Sequence, residues 1–322
     1  MFSKDAIYKI TIPIPYPIKD VNVYVVKGDA LTLVDAGMKT EEAWRVFEHK
    51  LKEIGLVPED IEQVILTHHH PDHIGLLDFF DGDLRVLGHR LLAPWLSHDV
   101  RFFDRQKEFF LELLKQFAVP ESFASHLDHL DLSLYPRNHP LTSSIQEGDE
   151  IDGMPGFTVI ETPGHAQSHI VLYNEKDCRM IGGDHLLKTI SSNPVLEMPY
   201  EGKERPKPQL QYNESLKKLL HIPISVVFPG HKDEFFDPHL LIRNRLDKQH
   251  ERALTVLKHL EKQEMTVFAL CKLLFPSAYQ QELLFAISET VAQLDYLEQY
   301  GKINKRIENG VLLFSAQRRG DK

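Results

Sequence analysis

At 322 residues the chain is long enough for one large domain and a small one, and its 42% hydrophobic content is ordinary for a globular protein. A formal net charge of −10 argues against a general polyanion binder, and two distant cysteines, Cys178 and Cys271, argue against a disulfide framework or a thiolate zinc site. Residues 1–17 contain no continuous apolar stretch, so neither a signal peptide nor a membrane span is expected, and a reducing cytoplasm fits the cysteine usage best.

Strand-type segments open the chain at 7–14, 21–26 and 31–35, and a helical pattern follows over 41–54, closed by Gly55 and Pro58. The apolar run 61–66 reads as a short buried strand. Directly after it stand Thr67, His68, His69, His70, Pro71, Asp72 and His73, a density of imidazole and carboxylate that points to metal. Pro71 keeps these residues out of a regular helix interior, so a loop at a strand end is expected. On such a loop His68 and His70 can face one ion while Asp72 and His73 face a second.

A strand at 85–88 leads into a longer region, about 89–140, with an apolar stripe through Phe102, Phe103, Phe109, Phe110, Leu113, Leu114 and Phe117. That spacing is first of all one of packing. A second reading makes the region a lid whose Phe103 and Phe110 contact substrate. His126, His129 and His139 read as surface or pocket residues. Further strand segments at 157–160, 168–173, 180–181 and 225–228 run into Thr162-Pro163-Gly164-His165, Gly182-Gly183-Asp184-His185 and Phe228-Pro229-Gly230-His231. Glycine beside each polar residue allows the sharp turns and close approach that converging loops need. The pattern suits two packed sheets with helices outside.

Beyond His231 the texture changes to helical stretches at 239–264, 265–275 and 280–300 and a hairpin over 302–314, an order that suggests a winged-helix-like domain. The expected division is therefore 1–242 and 243–322. Basic and acidic residues nearly balance in the second part, which favours association or cover of the catalytic face over nucleic-acid reading.

On these residues the sequence resembles the metallo-β-lactamase-fold hydrolases, the family of glyoxalase II, quorum-signal lactonases and metal-dependent nucleases. The resemblance places His68, His70 and His165 on one metal, Asp72, His73 and His231 on another, and Asp184 between them. Asp35 would orient an imidazole through its other ring nitrogen. The implied fold is α/β, a four-layer αββα sandwich, with a carboxy-terminal region similar to that of the lactamase-beta-like protein 2 group. Two divalent ions are implied; imidazole and carboxylate suit zinc first, with manganese or iron as alternatives. The implied reaction is hydrolysis by a hydroxide shared between the ions, with Asp72 also orienting it or shuttling a proton.

The likeness of the motif, with threonine before His68, to that of glyoxalase II implies a thioester or another ester, and a lactone stays open. The alternative is a nuclease or phosphodiesterase acting on single-stranded RNA. It would draw on Lys188, Lys203, Arg205 and Lys207, which read first as solvated loop charges. After Asp184, residues Ser191, Ser192 and Asn193 can donate hydrogen bonds to substrate or merely turn the chain before Pro194. Expected partners are a small-molecule substrate and no membrane, with a homodimer open and nucleic acid less favoured.

Overall fold

Short β-branched runs separated by tight turns make the opening of the chain a meander. In the computed structural model, which describes residues 6–82, 84–123, 132–137, 139–202 and 204–318, strands β1 (Ile7–Pro13), β2 (Asp20–Lys27) and β3 (Leu31–Val34) pair antiparallel. Parallel pairing then adds β4 (Gln63–Leu66), β5 (Arg85–Gly88) and β6 (Ser143–Ser144), giving a six-stranded sheet in chain order. The crossover from β3 to β4 is helix α1 (Glu41–Glu53). Thr40 caps it by accepting the Ala43 N–H at 3.1 Å, and Ala43, Phe47 and Leu51 form its buried face.

Pro71 behaves differently from expectation. It occupies the first position of a one-turn helix, α2 (Pro71–Ile74), where its fixed φ and missing N–H are tolerated. His68 and His70 therefore lie on a loop, while Asp72 and His73 ride on a helical turn.

The second sheet runs β11-β10-β9-β8-β7, with β7 (Phe157–Glu161), β8 (Ile170–Asn174), β9 (Arg179–Gly183), β10 (Val226–Pro229) and β11 (Phe235–Phe236). Only β9 and β10 pair parallel in it. The two sheets share one core, in which Tyr24, Val34, Ile65 and Leu87 meet Phe157, Val159, Ile170, Leu172 and Ile181. Each such side chain contributes about 1.5–3 kcal/mol on burial, so strand ends, and with them the polar loops, are fixed by the core. Strand β8 begins at Ile170 rather than at 168, because Ser168 and His169 are drawn into side-chain bonds with the metal-type loops.

By contacts the chain forms two units, Met1–Asp99 with Asp131–Ser192 and Lys218–Leu241, and Val100–Leu130 with Asn193–Lys217 and Ile242–Lys322. The sheets belong to the first, with the short helix α3 (Ala93–Leu96). The second contains α4 (Val100–Gln116), most of α5 (Pro208–Leu219) and α6 (Pro238–Leu260), then β12 (Met265–Thr266), α7 (Val267–Leu274), α8 (Leu283–Gln299), β13 (Ile303–Glu308) and β14 (Val311–Ala316). Its three strands pair in the order β12-β14-β13, and Asn309 and Gly310, with φ of 50° and 81°, make the two-residue turn of the β13–β14 hairpin.

The second unit thus takes in 100–130 and 193–217 as well as the chain from 242 onward. The reason is apolar: Phe110, Leu113, Leu114, Phe117 and Leu196 are buried with Val267, Leu270, Val291, Leu294 and Phe314 in one core. Among the described residues no helix is long and apolar enough to cross a membrane.

Candidate metal centre

Four strand ends of the first unit deliver the polar residues. The loop after β4 carries His68 and His70, α2 carries Asp72 and His73, and the turns after β7, β9 and β10 carry His165, Asp184 and His231. Their donor atoms fall into three overlapping groups, each within 4.8 Å: His68 with His70 and His165, His68 with His73 and Asp184, and Asp72 with His73 and His231. In the first, His70 Nδ1 lies 3.0 Å from both His68 Nε2 and His165 Nε2. Around the second carboxylate, Asp184 Oδ1 stands 3.5 Å from His73 Nε2, and Oδ2 stands 3.2 Å from His231 Nε2 and 3.7 Å from His165 Nε2. Asp72 Oδ2 is 3.5 Å from His231 Nε2 and 3.9 Å from His73 Nε2.

Other groups hold these rings from behind. Asp35, at φ 62°, accepts the Thr67 N–H at 2.8 Å and the Thr67 hydroxyl at 2.9 Å, and its Oδ2 lies 2.8 Å from His73 Nδ1. Turning Nδ1 toward a carboxylate aims Nε2 at the cluster. The backbone carbonyl of Asp20 does the same for His231, 2.5 Å from its Nδ1. His169 was not singled out in the sequence, although it lies four residues after His165. Its Nε2 accepts the Asp184 N–H at 3.1 Å, its Nδ1 is 2.8 Å from Thr162 Oγ1, and its ring stacks on His68 at 5.0 Å. His69 belongs to none of the three groups; it stacks on Trp95 at 4.0 Å with Nδ1 3.0 Å from Ser168 Oγ.

The electrostatics suit a cation. Burial pushes His68 and His70 well below the ordinary imidazole value, and the imidazoles around them push the same way. Burial also opposes charge on His73, but the carboxylates of Asp184, Asp35 and Asp72 prevail and raise it well above its ordinary value. Burial would lift the Asp184 carboxyl, yet His231 and His73 hold it well below the usual carboxylate range. Negative potential is therefore concentrated where the second and third groups meet.

The donor set also fits metal on packing grounds. His73 Nε2 and Asp184 Oδ1 are buried 3.5 Å apart without making a hydrogen bond, as ligand atoms turned toward an ion would be. Gly230 keeps the floor open: a Cβ there would fall on Asp184 Oδ1 and lie 2.8 Å from His73 Cε1.

The remaining sequence candidates lie elsewhere. Ser191 is exposed and Ser192 buried at the end of the first unit's middle segment, and Asn193 is half-buried in the second unit. Phe110 sits in the second unit's core, and Phe103, a buried residue of the same unit outside that core, meets Phe102 edge-on at 5.7 Å. His139 pairs with Asp78 at 3.1 Å. Of the loose cations, Arg205 makes two bonds to Asp295 at 2.6 and 2.9 Å, Lys207 pairs with Glu298 at 2.9 Å, and Lys188 is exposed. His126, His129 and Lys203 lie outside the described residues.

Comparison with known proteins points the same way. A profile of the metallo-beta-lactamase superfamily matches residues 17–231. The chain is 44% identical over 321 residues to a protein of Bacillus subtilis (strain 168) described as probable metallo-hydrolase YqjP, covering 99% of this chain and 100% of that one. A hydroxyacylglutathione hydrolase of Bdellovibrio bacteriovorus is 26% identical over 165 residues, covering 51% of this chain and 46% of the relative. Among solved structures, the metallo-beta-lactamase family protein TTHA1429 of Thermus thermophilus superposes with a TM-score of 0.79 at 28% identity, covering 97% of this chain and 98% of that one.

Proposed function

The chain belongs to the metallo-beta-lactamase superfamily and is a metallo-hydrolase, and from that premise we propose that it uses two ions to cleave a thioester, another ester or a lactone. The observation that carries the two-ion reading is Asp184, whose carboxylate stands within 3.7 Å of His165 and 3.2 Å of His231 and so belongs to both halves of the cluster. His68, His70 and His165 would hold one ion, Asp72, His73 and His231 the other, with Asp184 between them. Bound there, divalent ions would supply an acidified water and polarise the substrate carbonyl whose carbon that water attacks. Zinc suits this donor set, imidazole and carboxylate without thiolate, with manganese or iron next.

The protein's own groups then have defined tasks. Asp35 keeps the Nδ1 proton of His73 on the outer side of the ring, so that Nε2 faces the cluster. His68 and His73 are fully buried, which excludes bulk water from the cluster's inner side. Asp72, the most exposed of the buried carboxylates here at 8%, would accept a proton from the nucleophile and pass it to the leaving group.

Two observations favour an acyl substrate over a phosphodiester. One is the likeness to a hydroxyacylglutathione hydrolase. The other is that Arg205 and Lys207 are already committed to carboxylates rather than free for phosphate. The test is a panel of thioester, ester, lactone, phosphodiester and single-stranded RNA substrates given to the zinc-, manganese- and iron-loaded protein. Turnover confined to the acyl compounds is expected, and turnover confined to RNA would replace this reading with a nuclease.

A further inference from the structure

Strand β2 places Asp20, Asn22 and Tyr24 on one face at the period-two spacing of a strand. All three reach the turn that carries His231, which leaves β10 in the other sheet. The Asn22 N–H donates to the Gly230 carbonyl at 2.7 Å. Its side-chain Nδ2 donates to the carbonyls of Pro229 at 3.0 Å and Lys232 at 2.7 Å, and the Tyr24 hydroxyl donates to Pro229 at 2.6 Å. Residues on both sides of His231 are thus tied to one strand, while its own Nδ1 bonds the Asp20 carbonyl.

That last bond decides which nitrogen faces the cluster, because a carbonyl oxygen can only accept: Nδ1 donates to Asp20, and Nε2 is the nitrogen left to face Asp72 and Asp184. The Asn22 amide is fixed in direction as well. Its Oδ1 accepts the Thr11 hydroxyl at 2.9 Å, so both amide hydrogens face carbonyls. Lys232, at φ 68°, holds a left-handed conformation disfavoured for its side chain, and the bond from Asn22 to its carbonyl helps to keep it there. Asn22 and Tyr24 are each 1% exposed, so water cannot replace what they supply.

We propose that Asn22 and Tyr24 are positioning residues of the ion site formed by Asp72, His73 and His231. They act through His231, by holding its turn so that Nε2 is delivered at the cluster. The inference rests on the two-ion reading above.

The test is zinc titration of the full-length protein against a competing chelator, with the wild type, Asn22→Asp, Tyr24→Phe and Thr11→Val. Asn22→Asp keeps the side-chain shape but sets oxygen against two carbonyls. It should weaken one of two ions by about 10–100-fold, as loss of ligand-orienting groups does, and leave the other nearly unchanged. Tyr24→Phe should weaken the same ion less, and so should Thr11→Val, which removes the hydroxyl that fixes the Asn22 amide. Added to His231→Ala, Asn22→Asp should produce no further loss, because both act on one ligand.

Equal weakening of both ions, no weakening, or a further loss in the double variant would overturn the proposal. If Asn22→Asp does not fold, Tyr24→Phe decides by the same criterion. A wild-type protein that binds a single ion would instead overturn the two-ion reading itself.

Discussion

At the scale of single residues the centre depends on groups that orient as much as on groups that bind. Asp35→Asn should weaken metal by about 10–100-fold, since the His73 ring loses the carboxylate that aims it. Asp184→Asn should abolish hydrolysis and weaken both ions, because the lost charge lies between the two groups. Metal titration and turnover of the two variants distinguish these grades, and full activity in Asp184→Asn would end the bridging assignment.

His69 gives a prediction for pH. Burial first, and then His165, lower its imidazole from 6.5 to about 3. Its folded value lies below its unfolded value, so the stability that it contributes is fully present above pH 6.5 and is lost as pH falls toward 3. Between pH 7 and 5 the metal-free wild type should lose about 2 kcal/mol more than His69→Gln, which cannot titrate. Urea denaturation at the two pH values measures the difference, and an equal loss in both proteins would exclude a neutral buried His69.

At the scale of elements, strand ends and the single turn of α2 supply the residues of the proposed ion sites, and the longer helices supply packing. Gly230 follows β10 where the backbone passes close to Asp184. Gly230→Ala should therefore abolish metal binding, since the added methyl would meet Asp184 and His73 rather than open space. Phe110 on α4 is a test of what that helix does. Buried in the second unit's core, it should cost about 3–5 kcal/mol on replacement by alanine, read by chemical denaturation. The order of KM values among substrates should stay the same; a changed order with stability intact would assign Phe110 to a substrate wall instead.

At the scale of the whole molecule, elemental analysis of the reconstituted protein should approach two ions per chain. A net charge of −10, with Arg205 and Lys207 neutralised by Asp295 and Glu298, should leave single-stranded RNA bound weakly in filter assays at low and moderate salt. Micromolar RNA binding that falls steeply with salt would contradict that balance.

The loops that form the cluster were legible in the sequence as polar runs at the ends of apolar segments, and the resemblance to the metallo-β-lactamase fold picked His68, His70, Asp72, His73, His165, Asp184 and His231 out of them; the structure brings these seven side chains together. The helices and hairpin after His231 were legible too, since hydrophobic period and a glycine, Gly310, before an apolar run are local signals. What holds the ligands was not. His169 on Asp184, Asp20 and Asn22 on the His231 turn, and Trp95 on His69 join segments far apart in the chain, and a strand residue does not disclose which loop its side chain will meet. Likewise the stripe of α4 showed an apolar face but not its partner, and tertiary packing alone placed Phe110 and Phe117 with α7, α8 and β14. Composition and period determine which residues must be buried or must bind, whereas long-range packing decides against what, because many apolar faces could cover one another and only the folded topology brings one pair together.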